Sequence, residues 1–105
     1  MKHFVANDTE FERHTVSSNL DERTLREIYL LPFEMGIKKA KAKSVMSAYN
    51  KLNNIYCSSN KDLLIDILKK EWGFDGYVVS DWGAALETVD NAIGGLDMEL
   101  SLIHI

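Results

Sequence analysis

The chain has 105 residues, enough for one small domain and well short of the roughly 250 of a closed (β/α)8 barrel. A hydrophobic share of 46% and a net charge of -4 are ordinary for a globular protein and give no reason to expect nucleic acid or an anionic membrane as partner. The single cysteine, Cys57, excludes an internal disulfide and a cysteine-based metal site, and no run of 18 apolar residues is present to span a bilayer.

Taken in order, Lys2-His3-Phe4-Val5 leads into a polar stretch, Asn7 to Asn19, that reads as a long loop containing Arg13 and His14. Asp21 is a fair N-cap for a helix over residues 22–40. Leu25, Ile28, Tyr29, Met35 and Ile37 supply its apolar stripe, and Glu22, Arg26, Lys38 and Lys39 its wet face. Pro32 predicts a kink or break near Leu31. Residues 44–50 form a short strand candidate that ends in a polar loop, Asn50 to Asn54. Ser59 to Asp62 has the spacing of a capping box for a helix with Leu64, Ile67 and Leu68 inward, stopped by Gly73.

The next stretch, Gly76-Tyr77-Val78-Val79-Ser80-Asp81-Trp82-Gly83, organises the chain. Tyr77 to Val79 is an apolar, partly β-branched run without alternation, the pattern of a strand buried on both faces of a parallel sheet. Asp81 stands where that strand runs out, and in α/β architectures chemistry collects at the carboxyl ends of strands. A weaker helix over 84–93 ends at Gly94-Gly95, and residues 96–100 look like one further strand. The order is loop, helix, strand, helix, strand, helix, strand. It argues for an α/β fold of about three βα units on a parallel sheet, a partial barrel with two raw edges.

Lys2-His3, Met46 with Tyr49 and Asn50, and Asp81 with Trp82 fall at strand-to-helix junctions, on one rim of such a sheet. One by one they are unremarkable. An Asp after a strand is more often an N-cap or turn residue than a nucleophile, and Lys2, His3 and Arg13 read as surface residues. Together they supply hydroxyl donors, an apolar plate for a ring and an acid for an anomeric carbon.

These stretches resemble glycoside hydrolase family 3 β-glucosidases. The resemblance is carried by Lys2-His3-Phe4 with Arg13, Asp21 to Leu30, Met46-Ser47-Ala48-Tyr49-Asn50-Lys51, Glu71 to Gly76, Val79-Ser80-Asp81-Trp82-Gly83 and Gly95 to Glu99, in the family's order. It covers residues 1–100, as part of an N-terminal TIM-like (β/α) barrel domain, and leaves residues 101–105 as a tail that matches nothing. It implies a hydrolase that retains anomeric configuration and releases terminal β-D-glucose, with Asp81 as the nucleophile that becomes glycosylated. Lys2 and His3 would bind sugar hydroxyls, Arg13 would position them or the sugar, Met46 would line the pocket, Tyr49 would orient Asp81, and Trp82 would wall the sugar subsite.

A retaining mechanism also needs a second carboxyl group about 5–5.5 Å from the nucleophile. In this family it commonly comes from a following α/β sandwich domain. That domain, a β-glucoside or oligosaccharide substrate and no cofactor or metal are the partners the resemblance implies. The chain is therefore expected to be an inactive fragment. A non-catalytic carbohydrate-binding module, a non-functional remnant, and within the enzymes β-xylosidase or β-N-acetylglucosaminidase remain as alternatives. The aglycone, the compartment and the oligomeric state stay open.

Overall fold

The computed structural model describes residues 1–9, 11–84 and 88–100, with Thr88 in its backbone alone. Its central layer is a pair of parallel strands, β2 (Ser44–Ser47) and β5 (Tyr77–Ser80), with Val45 opposite Val78 and Met46 opposite Val79. Single parallel bridges extend the layer on both sides, from Phe4 to Ser47 and from Val79 to Met98. The direction is parallel throughout, as the alternation of strands and helices requires.

A second, smaller sheet has the order β1–β3–β4. Here β1 (Ser17–Ser18) runs parallel to β3 (Lys51–Leu52), and β3 forms an antiparallel hairpin with β4 (Ile55–Tyr56). Both departures from the expected loops have local causes. Asn53 and Asn54 take φ of 49° and 72°, the left-handed pair that a tight hairpin turn demands and that Asn tolerates. Ser17 and Asn53 then tie the segments through side chains, with the Asn54 N–H donating to Ser17 Oγ at 2.8 Å and the Leu20 N–H to Asn53 Oδ1 at 2.9 Å.

The first helical arm is α1 (Glu22–Thr24), a widened turn over Leu25–Tyr29, and α2 (Leu31–Lys38). Asp21 caps it, accepting the Thr24 N–H at 2.7 Å, and Pro32 sits in the first turn of α2, where no N–H is missed. The expected stripe is corrected in part. Leu25 and Ile37 are buried, but Ile28 is 62% and Met35 46% exposed, and Leu30 is buried instead. The cause is the widened turn, in which Leu30 N–H bonds back five residues to Leu25 O at 2.7 Å and so turns the inward face from Ile28 towards Leu30.

The next helix spans Asp62–Glu71 and buries Leu63, Leu64 and Leu68. Its cap is Asn60, whose Oδ1 accepts the Leu63 N–H at 3.1 Å. The expected capping Ser59 belongs to the short 3-10 turn Cys57–Ser59 and donates to Tyr56 O at 3.3 Å. Gly73 ends the helix in the left-handed region at φ 69°. At Gly76 any Cβ would press into the Lys43 carbonyl, so the entry to β5 admits only glycine.

Phe4, Leu30, Val45, Leu64, Leu68, Trp72 and Val78 form the core between the sheet and the helices. The ring of Phe4 meets Phe33 edge-on at 4.9 Å and Trp72 at 6.0 Å. The opposite face of β5 is open: Tyr77 is 48% exposed and Val79 half-buried, so the strand is covered on one face here, not both. The expected strand over 44–50 stops at Ser47, because the chain turns away to build the hairpin. The one expected over 96–100 is reduced to the Met98 bridge, because the Asp97 side chain takes the Val78 N–H at 2.8 Å. Of the helix expected over 84–93, residues 85–87 lie outside the described residues, as does the tail 101–105, and the observed α3 is Thr88–Gly94. No helix among the described residues is long and apolar enough to cross a membrane.

Candidate active site

Asp81 follows β5 directly and keeps its rung of the sheet, its N–H donating to Ser47 O at 3.0 Å. Side chains alternate along a strand, so Asp81 lies on the same side as Tyr77 and Val79, the face the helices leave open. Its two carboxylate oxygens are used differently. Oδ1 accepts the N–H of Trp82 at 2.7 Å, which fixes the side chain at the strand end. Oδ2 stands 3.4 Å from Nε2 of His3. With 15% of its side chain exposed, the carboxylate is largely shielded yet reachable.

His3 arrives there by register. The bridge from Phe4 to Ser47 sets His3 beside Met46, and Met46 pairs with Val79. His3, Met46 and Asp81 thus come from three adjacent parallel chain segments. Lys2 is exposed and lines, with His3, a shallow recess against Tyr29 and Phe33.

A second cluster sits beyond the end of β2. Tyr49 is buried, the Arg13 guanidinium lies over its ring at 4.5 Å, and the His14 ring meets it edge-on at 4.5 Å. The Tyr56 hydroxyl donates to His14 O at 3.1 Å, so the hairpin braces the loop that carries Arg13. A cation over an aromatic face contributes about 0.5–1 kcal/mol when partly exposed, enough to choose one loop conformation among close competitors.

The structure therefore joins His3 with Asp81, sets Lys2 beside His3, and joins Arg13 with Tyr49. Met46 is half-buried in the layer, and Trp82 stands out from the rim, 52% exposed. His14 entered the sequence reading only as part of a polar loop. Its place directly after Arg13 was the available signal. Asp97 is a clasp: Lys69 Nζ binds its two oxygens at 3.0 and 2.9 Å and also the Gly95 carbonyl at 2.8 Å.

The larger recesses lie away from Asp81. One is between the hairpin and α3, lined by Lys51, Tyr56, Lys61 and Asp90, and another lies between Arg26, Asn60, Asp66 and Glu71. Neither reaches the carboxyl ends of the parallel strands β2 and β5, so the rim at Asp81 is the better chemical candidate.

Comparison with known proteins bears on the family and the fold. A family model described as the glycosyl hydrolase family 3 N terminal domain matches residues 1–100. The chain is 58% identical over 100 residues to a beta-glucosidase of Rhizobium radiobacter, a match over 95% of this chain and 12% of that protein. It is 54% identical over 104 residues to thermostable beta-glucosidase B of Acetivibrio thermocellus, over 99% of this chain and 14% of that one. Among solved structures, beta-glucosidase from Kluyveromyces marxianus in complex with glucose superposes with a TM-score of 0.96 at 46% identity, covering 99% of this chain and 12% of that chain. Beta-glucosidase 3B from Thermotoga neapolitana in complex with glucose gives 0.91 at 53%, covering 93% and 14%. The chain thus spans a small part of the length of each relative. With a strand-end carboxylate on the open face of a parallel α/β layer and a family model over nearly all its length, the chain belongs to the glycosyl hydrolase family 3 N-terminal domain family.

Proposed function

We propose that the chain supplies the nucleophile side of a retaining β-glucosidase. One observation carries the reading. Asp81 is held at a strand end by the Trp82 N–H at 2.7 Å and faces His3 at 3.4 Å, so one carboxylate oxygen is anchored and the other is presented beside a hydrogen-bonding side chain. In the proposed reaction an oxygen of Asp81 attacks the anomeric carbon of a β-glucoside and the bond to the aglycone oxygen breaks. That oxygen takes a proton from a second carboxylic acid, and water then cleaves the glycosyl ester with the same group acting as base. Glucose is the sugar proposed because the Kluyveromyces and Thermotoga relatives hold it.

Lys2 and His3 bind its hydroxyls, Trp82 walls the subsite and Met46 lines it. Tyr49 orients the carboxylate, and Arg13, stacked on Tyr49, fixes that side of the pocket. The acid/base is contributed by another part of a longer parent, in a sandwich domain. The chain alone is accordingly inactive, and general acid help worth about 10²–10⁴-fold is missing from it.

The test is a chimera in which residues 1–100 replace the homologous stretch of the Rhizobium radiobacter enzyme. It should hydrolyse an aryl β-glucoside, prefer it to the matching β-xyloside, and lose turnover in Asp81→Ala. A fluorinated glucosyl donor that stalls after the first step should label the peptide containing Asp81. Full activity of Asp81→Ala, or the label on another residue, sinks the proposal.

A further inference from the structure

Asn50 is fully buried just after Tyr49, and none of the roles above uses it. Its side-chain amide donates to the Val5 carbonyl at 3.1 Å and the Lys51 carbonyl at 3.0 Å, and lies 3.5 Å from the Ser18 hydroxyl. Ser18 Oγ in turn donates to the Ala6 carbonyl at 2.8 Å. These bonds begin where the backbone ladder stops. Phe4 N–H meets Met46 O and Ala48 N–H meets Phe4 O, each at 2.8 Å, and beyond Phe4 the Val5 carbonyl is held by side chains, the Asn50 amide at 3.1 Å and the Cys57 thiol at 3.6 Å. Val5 lies just beyond His3-Phe4, and His3 is the side chain that reaches Asp81.

We infer that Asn50 is a positioning residue. Its amide takes hold where the parallel ladder ends, fixes the direction in which the segment bearing Lys2 and His3 leaves the sheet, and so sets the approach of His3 to Asp81. The residue type fits the task. A primary amide has two donor hydrogens, and here both are spent on carbonyls of the two segments to be joined. An aliphatic side chain would take this donor from the part-buried Lys51 carbonyl and leave the buried Val5 carbonyl with only the weak donor of the Cys57 thiol at 3.6 Å. The Oδ1 atom is buried and takes no partner among the described residues, so the holding is done by the donor half alone.

The catalytic readout of this inference rests on the glycosidase reading above. The test takes the same chimera with Asn50→Ala, with His3→Ala and with both. Asn50→Ala should lower kcat/KM by about 10–100-fold, the scale of an ångström of misplacement at a reacting centre. In the His3→Ala background the same change should cost little, because residues that act through one another are not additive. Equal cost in both backgrounds, or unchanged activity, overturns the inference and assigns Asn50 to the scaffold. Should Asn50→Ala fail to fold, Ser18→Ala frees the Ala6 carbonyl while leaving Asn50 in place. It should show a smaller loss that again vanishes with His3→Ala, and additivity there is equally decisive against the idea. A chimera that folds without turnover sinks the glycosidase reading alone. The crystal structures of that chimera and its Asn50→Ala variant then decide this point. The His3 to Asp81 separation of 3.4 Å must open in the variant by about 1 Å or more, and an unchanged separation overturns the inference.

Discussion

The two sheets of this chain are held together by different physics. The layer of β2 and β5 pairs four residues on each strand and lays Val45 and Val78 against Leu64, Leu68 and Trp72, so burial of apolar area fixes it. The sheet of β1, β3 and β4 pairs two residues at a time and buries one large apolar side chain of its own, Leu52. Its order comes from Ser17, Ser18, Asn50 and Asn53, which bridge segments far apart in sequence. The first sheet places Asp81. The second braces the loop that sets Arg13 on Tyr49 and, through Asn50 and Ser18, the segment beyond His3. In this chain the nucleophile candidate rests on apolar packing, and its neighbours rest on a polar network.

Cys57, directly after β4, reports on that difference. Its thiol is fully buried, and desolvation pushes its pKa up from 9.0 to about 12. The thiolate fraction at pH 8 is then lower by about a thousandfold, three pH units, and thiol reagents should react that much more slowly than with a free cysteine. With a folded value above the unfolded one, this group's contribution to stability is complete below pH 9.0 and is lost as pH rises towards 12. In rising urea, the Cys57 reaction should accelerate before the fluorescence of buried Trp72 changes. Coincident midpoints would show the two sheets opening as one unit.

Within the apolar layer, Leu68→Ala should cost about 2–5 kcal/mol in urea unfolding, the range for deleting a fully buried leucine side chain. At the border between the two regions, Asn60→Ala should cost about 0.5–2 kcal/mol by removing the helix cap, and Ser59→Ala clearly less. The reverse ranking would return the cap to Ser59. The smallest effect belongs to the surface. Arg26 grips Glu71 at 2.6 and 3.2 Å and holds its carboxyl below the ordinary 4.5, while Lys43 does the same for Asp75 below 3.8. A depressed carboxyl stabilises above its unfolded pKa, so these contributions are present above about pH 4.5 and fade as pH falls through the folded values. Glu71→Gln should cost at most about 1 kcal/mol at pH 7 and nothing in strong acid, read from unfolding curves at the two pH values.

Legibility followed the same division. The β5 run, the Asp21 cap, the break near Leu31 announced by Pro32 and Gly73 at a helix end carry local signals strong enough to read directly. The hairpin does not, because two-residue strands have no periodicity and Asn53-Asn54 looks like any polar loop until both φ angles are known. The stripe on the first helix moved from Ile28 towards Leu30 because a widened turn breaks the 3.6-residue rule. The capping box failed because Ser59 was already engaged by Tyr56.

The sequence by itself determined the α/β class, the strand that presents Asp81, and the motifs that mark the family. Those depend on apolar runs, caps and turn residues, which act over a few positions. Only the tertiary structure decided that His3 meets Asp81, that Arg13 stacks on Tyr49, that Asp97 is a clasp, and that the Asn50 amide bonds the Val5 carbonyl. Each of these joins residues dozens of positions apart through hydrogen bonds or ring contacts, and such pairings become fixed once the parallel layer sets its register.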